Sequence, residues 1–261
     1  MTCQRIMLRI LRSGCLGSVG DRLMHRRAWT IESGEGAGLR FRVSHNPEFI
    51  SGTSELPIQR AIASNLKAGD VFYDVGANLG FFSAIAARRI GPTGRTYAFE
   101  PVPENAGYVR ENARINGFTN LETFELAVGA EPGFADFFLA KWQGGSSLLE
   151  DSVPATEMAG KCRVEVVTLD RFALAHGLRP PNFVKIDVEG AEHQAIEGMR
   201  TILKEFKPIL LYEVDDASPD GLQRRWDDLD ALVQSQGYQI KRITGSYPNT
   251  NWFVGHSLAL P

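Results

Sequence analysis

The sequence predicts an α/β fold, in which strands and helices alternate along the chain and the strands form a mostly parallel β-sheet. From Asp70 onward, short apolar runs alternate with amphipathic stretches of about 10–15 residues, as in βα units. The first of these runs ends in a turn with two glycines and leads directly into a helix, as in open α/β sheets. The chain has 261 residues and is 43% hydrophobic, enough to bury the core of one large domain or of two small ones.

The first 66 residues are predicted to form an N-terminal cap of a helix and turns. Apolar residues at positions 6, 7, 10 and 11 have helical spacing, but arginines interrupt them. This pattern indicates an amphipathic helix that covers the domain, with a transit peptide or a membrane-surface helix as the alternative. Residues 32–47 are predicted to form turns around a short strand at residues 39–43. The main domain is therefore expected to span residues 67–261.

Three strand-helix units are predicted at the start of the main domain. Residues 71–75 form a buried strand, and the helix after it places Phe82, Ile85 and Ile90 on one face. A second strand at residues 96–99 precedes a helix at residues 104–116. The third strand covers residues 121–126.

The next part of the chain is predicted to form an inserted β-ribbon, after which the sheet continues. Two strands, at residues 134–139 and 164–168, flank a polar loop at residues 141–147. The sheet resumes with strands at residues 183–186 and 209–214, separated by one helical apolar stripe from Ala195 to Leu203. After a last helix around residues 222–233, residues 239–243 and 252–254 are expected to form a closing antiparallel pair.

Composition limits the function classes. The net charge is −3, too balanced for a protein that neutralises nucleic-acid phosphates, so no nucleic-acid partner is expected. Cys3, Cys15 and Cys162 are odd in number and lack metal-ligand spacing, which favours a reducing compartment without disulfides or zinc. No apolar run reaches the length of about 18 residues that a transmembrane segment needs. We expect a soluble, cytoplasmic protein, and an oligomer is compatible with the sequence.

The turn after the first predicted strand carries the main functional signal. It reads D-V-G-A-N-L-G from Asp74 to Gly80, and glycines at this turn let a ligand approach the backbone. The next strand is followed by Glu100, 24 residues after Gly76. In nucleotide-binding folds, an acid about 20 residues after the glycine turn accepts hydrogen bonds from the ribose hydroxyls. The alternative is that Asp74 and the glycines only shape a tight turn and cap a helix. The pattern favours a ribose-bearing cofactor.

Missing motifs narrow the kind of cofactor. Neither the G-x-G-x-x-G turn of dinucleotide sites nor the G-x-x-x-x-G-K-[ST] of P-loops is present, which disfavours a nicotinamide oxidoreductase. The turn begins instead with Asp74, which would oppose a pyrophosphate and attract a cation. S-adenosylmethionine combines a sulfonium, an ammonium group and a ribose, and therefore suits this turn.

Five motifs together resemble the FkbM family of S-adenosylmethionine-dependent methyltransferases over roughly residues 50–215. They are D-V-G-A-N-L-G, Glu100-Pro101, G-G-S-S-L at residues 144–148, T-L-D at residues 168–170, and K-I-D-V-E-G-A-E from Lys185 to Glu192. The first two are general for class I methyltransferases, whereas the last, downstream of T-L-D, is specific to this family. The resemblance implies a Rossmann-like, seven-stranded, mostly parallel sheet with an antiparallel last strand.

The resemblance also implies the cofactor-binding residues. It places four residues of the turn, Gly76, Ala77, Asn78 and Gly80, along the methionine and the ribose. By the same resemblance, Asp74 lies near the cationic end, Glu100 binds the ribose hydroxyls and Val102 contacts the adenine. Ala127, just past the third strand, is expected beside the adenine.

Methyl transfer to a hydroxyl needs an aligned acceptor and a group that takes its proton. Asp187 and Glu189 follow the fourth strand, and their spacing puts both side chains on one side if the chain stays extended. His193 follows within about one helical turn and is the candidate base, with a solvated helix residue as the alternative. Asp187 could instead cap a helix, and Glu213 could hydrogen-bond substrate or a loop.

Two further features have a functional and a plain interpretation. The acids Asp187, Glu189, Glu213 and Asp215-Asp216 could bind Mg²⁺ through oxygen ligands, but the sequence favours a site without metal. The residues 144–147 could form a lid over the acceptor or a surface turn.

The expected function is O-methylation of a small metabolite, a natural product or a sugar. N-methylation by the same fold is one alternative. The other is a binding module that keeps the cofactor site without turnover.

Overall fold

The computed structural model describes residues 27–43, 47–141, 146–148, 156, 158–243, 245 and 253–261. The strands of this part are β1 (Trp29–Thr30), β2 (Arg40–Phe41), β3 (Val71–Val75), β4 (Arg95–Phe99), β5 (Leu121–Phe124), β6 (Ala127–Val128), β7 (Gly133–Ala140), β8 (Met158–Val167), β9 (Phe183–Ile186), β10 (Ile209–Asp216), β11 (Gln239–Ile243) and β12 (Phe253–Leu260). The helices are α1 (Pro47–Ser51), α2 (Leu56–Asn65), α3 (Phe81–Ile90), α4 (Pro103–Ile115), α5 (Leu169–Ala175), α6 (Glu192–Glu197), α7 (Arg200–Glu205) and α8 (Pro219–Ser235).

Seven strands form the central sheet, in the order β11-β12-β10-β9-β3-β4-β5. The contacts from β5 through β4, β3 and β9 to β10 are all parallel. Strand β12 is antiparallel to both β10 and β11, between which it lies. The predicted α/β fold with an antiparallel last strand is therefore confirmed, and the carboxyl ends of β3, β4 and β9 meet at one edge of the sheet.

The sheet is buried on both faces, because its strands alternate large apolar side chains between two cores. Tyr73 and Tyr212 belong to one core, which α5, α6, α7 and α8 cover. Phe72 and Phe183 belong to the other core, together with α2 and α3. Residues from the predicted N-terminal cap, such as Trp29 and Phe41, pack in this second core.

The inserted ribbon is also confirmed, as a separate three-stranded sheet. Strand β7 pairs antiparallel with β8, and β6 pairs parallel with the end of β8. The third strand of the main sheet is shorter than predicted, because the chain leaves it after Phe124 and residues 127–128 join the ribbon instead. The ribbon is thereby attached beside the carboxyl end of β4.

Several predicted boundaries were wrong. The single helical stripe from Ala195 to Leu203 is two helices, α6 and α7, separated at Gly198. A Cβ on Gly198 would lie 2.1 Å from the carbonyl oxygen of Gly129, so this close approach fixes the break. The strand predicted at residues 39–43 is only β2, and β12 extends well beyond residue 254 to Leu260.

The predicted helix near residues 6–11 and most of the polar loop at residues 141–147 lie outside the described residues. No helix in the described part of the chain is both long and apolar enough to cross a membrane.

Candidate active site at the carboxyl ends of the parallel strands

A cleft, partly open to solvent, lies where the carboxyl ends of β3, β4 and β9 face the ribbon. Clefts at this edge of open α/β sheets are where ligands bind. The lining residues are Val75, Gly76, Asn78, Phe99, Glu100, Pro101, Val102, Asn105, Ala127, Val128, Phe137, Ser146, Leu148, Asp187, Val188 and Glu189.

The turn after β3 passes unusually close to the end of β9. Gly76 has a φ of +80°, and a Cβ there would lie 1.8 Å from the carbonyl oxygen of Asp187. The backbone N–H groups of Gly76 and Ala77 donate to the carbonyl of Phe99 at 3.0 and 3.1 Å. Asn78 lines the cleft, and its buried Oδ1 has no hydrogen-bond partner among the described residues. An unsatisfied acceptor in the wall of a cleft fits a ligand that brings a donor.

Glu100 ties the ends of β3 and β4 together. Its Oε2 accepts from the backbone N–H of Asn78 at 2.8 Å, and its Oε1 accepts from that of Val102 at 2.9 Å. Burial raises the pKa of Glu100 to about 7, although the hydrogen bonds from Val102 and Asn78 oppose this. The carboxylate therefore lies at the cleft in a fixed orientation and keeps lone pairs for further donors.

Asp74 lies beneath the cleft and is not part of its lining. It is fully buried, and its Oδ2 accepts from the Ser83 hydroxyl at 2.5 Å. Its Oδ1 is 3.7 Å from the Nζ of Lys185, which is its register partner on β9. Burial raises the pKa of Asp74, and Lys185 works against that rise.

Lys185 connects Asp74 to the cleft. Its ammonium donates to Oδ2 of Asp187 at 2.9 Å, because alternate residues of an extended strand share a face. Burial works against the charge of Lys185, but Asp187 and Asp74 outweigh burial and raise its pKa. Sequence analysis gave Lys185 no role of its own, although its place two residues before Asp187 is a signal for this contact.

Three acids, Asp187, Glu189 and Glu213, form what we call the acid wall. Each offers a carboxylate oxygen, and these oxygens lie within 4.8 Å of one another. Burial raises the pKa of Glu189 well above its ordinary value, and Asp187 and Glu213 add to that rise. Burial, followed by Asp187, raises the pKa of Glu213 to about 8. Two cationic side chains, Lys185 and His256, contact the wall.

The contact of His256 with the acid wall was missed by sequence analysis. Its Nε2 lies 2.7 Å from Oε2 of Glu213 and 3.3 Å from Oε2 of Glu55. Burial lowers the pKa of His256, but Glu213 and Glu55 outweigh burial and raise the pKa to about 10. The three residues are far apart in the sequence, and only the pairing of β10 with β12 places Glu213 opposite His256.

The structure brings most of the predicted site residues to the cleft, namely Gly76, Asn78, Glu100, Val102, Ala127, Asp187 and Glu189. Asp74, Ala77, Gly80 and His193 do not line it. A Cβ on Gly80 would meet Val109 of α4 at 3.0 Å, so this glycine serves helix packing. His193 is an exposed residue of α6. Ser146 of the predicted lid lines the cleft, and so does Leu148, which follows the predicted lid.

The sheet order, the antiparallel β12 and the cleft at the carboxyl ends define a class I, Rossmann-like methyltransferase. The Methyltransferase FkbM domain matches residues 74–240, and the chain belongs to this family. The resemblance seen in the sequence is confirmed, and the protein is a methyltransferase.

Two characterised relatives have names that specify an acceptor or a position. The 2-O-methyltransferase NoeI of Sinorhizobium fredii is 29% identical over 190 residues, which cover 64% of this chain and 77% of NoeI. The hexuronic acid methyltransferase AglP of Haloferax volcanii is 24% identical over 151 residues, or 58% of each chain. The chain thus spans less than two thirds of AglP.

Solved structures share the fold. Methyltransferase FkbM from Methylobacillus flagellatus KT has a TM-score of 0.51 and 20% identity, covering 72% of this chain and 43% of that one. TYW2 of M. jannaschii, solved in complex with AdoMet, has a TM-score of 0.51 and 15% identity, covering 90% and 86%. At these identities the similarity concerns the fold alone.

Proposed function

We propose that the protein transfers the methyl group of S-adenosylmethionine to a hydroxyl group of a sugar or another small metabolite. The observation that carries this proposal is a cleft with Glu100 at one side and two residues of the acid wall, Asp187 and Glu189, at the other. The first side suits a ribose and the second suits a hydroxyl group that must lose a proton. The names of NoeI and AglP support a sugar acceptor.

The cofactor side is proposed to use four residues of the cleft lining. Glu100 accepts hydrogen bonds from the ribose hydroxyls, since its two backbone contacts leave lone pairs available. The unpartnered Oδ1 of Asn78 accepts a further donor, and Val102 and Ala127 provide apolar contacts for the adenine. When bound, S-adenosylmethionine supplies an electrophilic methyl group on a sulfonium. Asp74 contributes negative charge from beneath the turn without touching the ligand.

On the acceptor side, we assign the proton acceptor to Glu189. Asp187 is held as an ion pair by Lys185, which fixes its carboxylate in a position suited to orienting the hydroxyl. In the part of the chain that the structure describes, Glu189 forms no ion pair within 4.0 Å, and its raised pKa makes it a stronger base than an ordinary carboxylate. Glu189 would take the proton as the acceptor oxygen bonds to the methyl carbon and the carbon–sulfur bond breaks, with S-adenosylhomocysteine as the leaving group. We assign this role to Glu189 over His193, since His193 is exposed on α6 and does not line the cleft.

The negative charge of the acid wall also makes an amine the second candidate acceptor. A protonated amine is attracted to three carboxylates but has to lose its proton before it can attack. The same group, Glu189, would take that proton.

Isotopically labelled S-adenosylmethionine, incubated with neutral sugars, uronic acids, amino sugars and hydroxylated metabolites, tests the reaction. Mass spectrometry is expected to find the label on oxygen in at least one acceptor. Glu189→Gln should reduce turnover about 10²–10⁴-fold, since it removes the proton acceptor. Label only on nitrogen would favour the second candidate, and no labelled product from any acceptor would contradict both.

Cofactor binding is tested separately by calorimetry with S-adenosylhomocysteine. Glu100→Ala should weaken binding by about 1.5–3 kcal/mol, because it removes charge-assisted hydrogen bonds to the ribose. Glu122→Ala, at an exposed position of β5, is the matched control and should bind like the wild type. Equal affinity of Glu100→Ala and wild type, or preferential binding of NAD, would contradict the assignment of the cofactor side.

A further inference from the structure

A buried group of three charged residues connects separate parts of the protein: Glu55, Glu213 and His256. Glu55 directly precedes α2, Glu213 lies near the end of β10, and His256 lies on β12. Glu55 and Glu213 are each 7% exposed, and His256 is 2% exposed. Two of the three, Glu55 and His256, lie outside the residues that match the family.

The geometry makes His256 a shared cation for two carboxylates. Its Nε2 carries one N–H, which lies within reach of both carboxylates and can be shared between them. Glu213 is the nearer partner, at 2.7 Å, whereas Glu55 is at 3.3 Å. Both partners are fixed, because Glu213 is the cross-strand partner of His256 and the Glu55 carbonyl accepts the first backbone hydrogen bonds of α2. Ile243, opposite His256 on β11, adds no charge.

This group of three charged residues reaches the acid wall through Glu213, which belongs to both. The largest charge effects on Glu189 come from several elements and are negative, namely those of Asp187, Glu213, Asp215 and Glu192. The cations nearby contact other members of this group: Lys185 pairs with Asp187, and Arg225 lies 3.8 Å from Glu192. His256 is therefore the positive charge that balances the Glu213 side of the wall.

We propose that His256 is a positioning residue of methyl transfer, whose positive charge, held between Glu55 and Glu213, favours the ionised form of the Glu189–Glu213 pair, the form that accepts the acceptor's proton. This inference rests on the proposed function for its catalytic part. The pKa of Glu213 agrees with it, because burial and Asp187 raise that pKa whereas His256 lowers it.

The sign of each substitution follows from the charges. His256→Gln removes a cation beside the pair, so both pKa values with which the pair loses its protons rise. Glu55→Gln removes an anion that opposes ionisation of Glu213, so those pKa values fall. His256→Lys restores a cation and should return them toward the wild type. If His256 had a purely structural role, His256→Gln and Glu55→Gln would not shift the pKa values of the pair in opposite directions.

The first readout needs neither cofactor nor acceptor. Protein labelled with ¹³C at the glutamate carboxyls is titrated by NMR, with Glu189→Gln and Glu213→Gln used to assign the two signals. His256→Gln should raise the pH at which these carboxyls titrate by about 1–3 units. Glu55→Gln should lower it, and His176→Gln, at an exposed histidine of the segment after α5, should leave it unchanged. Unchanged titration in His256→Gln, or shifts of the same sign in His256→Gln and Glu55→Gln, would overturn the proposal.

The second readout is the pH profile of turnover with an acceptor found in the labelling experiment. The low-pH side of the turnover profile should move to higher pH in His256→Gln and to lower pH in Glu55→Gln. In His256→Lys it should return toward its position in the wild type. If no acceptor is methylated while the NMR shifts have the expected signs, the proposed function fails and the charge coupling stands. If turnover occurs but the low-pH side of the profile follows neither substitution, the role of His256 fails and the proposed function stands.

Should His256→Gln not fold, Glu55→Gln and His256→Lys still test the proposal. Glu55→Gln then has to lower the pH at which the carboxyls titrate, and His256→Lys has to leave that pH near the wild-type value. Thermal melting of every variant shows which of them are folded.

Discussion

Gly76 occupies the most crowded position of the cleft, where the turn after β3 crosses the end of β9. Its positive φ favours glycine. The space requires glycine as well, because a Cβ at this position would lie only 1.8 Å from the Asp187 carbonyl oxygen. The requirement comes from the neighbouring strand and exists before any ligand binds. Single residues of this site therefore carry structural duties as well as chemical ones.

Gly76→Ala is expected to lower the free energy of unfolding by about 2–4 kcal/mol, since it combines an unfavourable φ with a backbone clash. Urea denaturation measures this. The control is Gly107→Ala in α4, where a Cβ meets no atom within 4 Å. That variant should gain about 0.5–1 kcal/mol, because alanine suits a helix interior better than glycine. Equal stability of Gly76→Ala and wild type would show that the crossing is looser than described.

Lys185 is the buried cation for Asp74 and Asp187, so its removal leaves uncompensated charge. Lys185→Met should lower the free energy of unfolding by about 3–5 kcal/mol near neutral pH. The deficit should shrink as the pH falls toward 5, because burial raises the pKa of the Asp74 carboxyl, which can then take up a proton. Denaturation curves at both pH values test this against Lys204→Met, an exposed substitution on α7. A deficit that does not depend on pH would contradict the ion-pair explanation.

At the scale of elements, the family motifs that follow the ribbon largely organise backbone turns. Glu192 is buried and accepts from the backbone N–H of Gly190 at 3.0 Å, which holds the turn that presents Glu189. Asp170 of the T-L-D motif accepts from the backbone N–H groups of Thr201 and Ile202 at 2.8 and 2.9 Å. It thereby caps α7, whose own N-cap, Met199, provides no side-chain acceptor.

Asp170→Ala should lower the free energy of unfolding by about 0.5–2 kcal/mol, the usual range for loss of a helix cap. Binding of S-adenosylhomocysteine should change little, because Asp170 lies away from the cleft lining. Chemical denaturation and calorimetry separate the two effects. Asp228→Ala, exposed on α8, is the control and should match the wild type in both measurements. A loss of binding larger than the loss of stability would give this acid a role at the site.

For the whole molecule, buried acids outnumber the cations that contact them at the carboxyl edge of the sheet. Burial raises the pKa of Glu100 and of Glu192 to about 7 and that of Glu213 to about 8, all from 4.5. The pKa values of Glu111 and Asp227 are lowered, so these two acids change the stability only at a pH below the range in which the buried acids titrate. The folded state therefore binds more protons than the unfolded state between about pH 4.5 and pH 8.

Because the folded state holds the extra protons, the free energy of unfolding should fall as the pH rises from about 5 to 9. His256 acts in the same direction above pH 6.5, since its pKa is raised to about 10. Each pH unit over which one proton differs contributes about 1.4 kcal/mol. Urea denaturation of the cofactor-free protein across this range measures the slope, which Glu213→Gln should reduce. Stability that increases with pH would contradict the described burial of these carboxyls.

Much of the fold could be predicted because its signals are local. The residues 71–75, 183–186 and 239–243 were predicted as strands with the boundaries that the structure shows. The early end of β5 and the break between α6 and α7 could not be predicted, because they depend on the ribbon and on the approach of Gly129 to Gly198.

The amino-acid sequence alone predicts the main strands and helices, the family motifs and several residues of the cleft lining, because these lie within a few residues of each other and of a strand end. Only the folded chain reveals that Asp74 lies beneath the cleft, that Lys185 joins it to Asp187, and that Glu55 and His256 meet at Glu213. The cause is strand register. Pairing across the sheet brings distant residues into one low-dielectric environment, where charges interact over distances that no local pattern encodes.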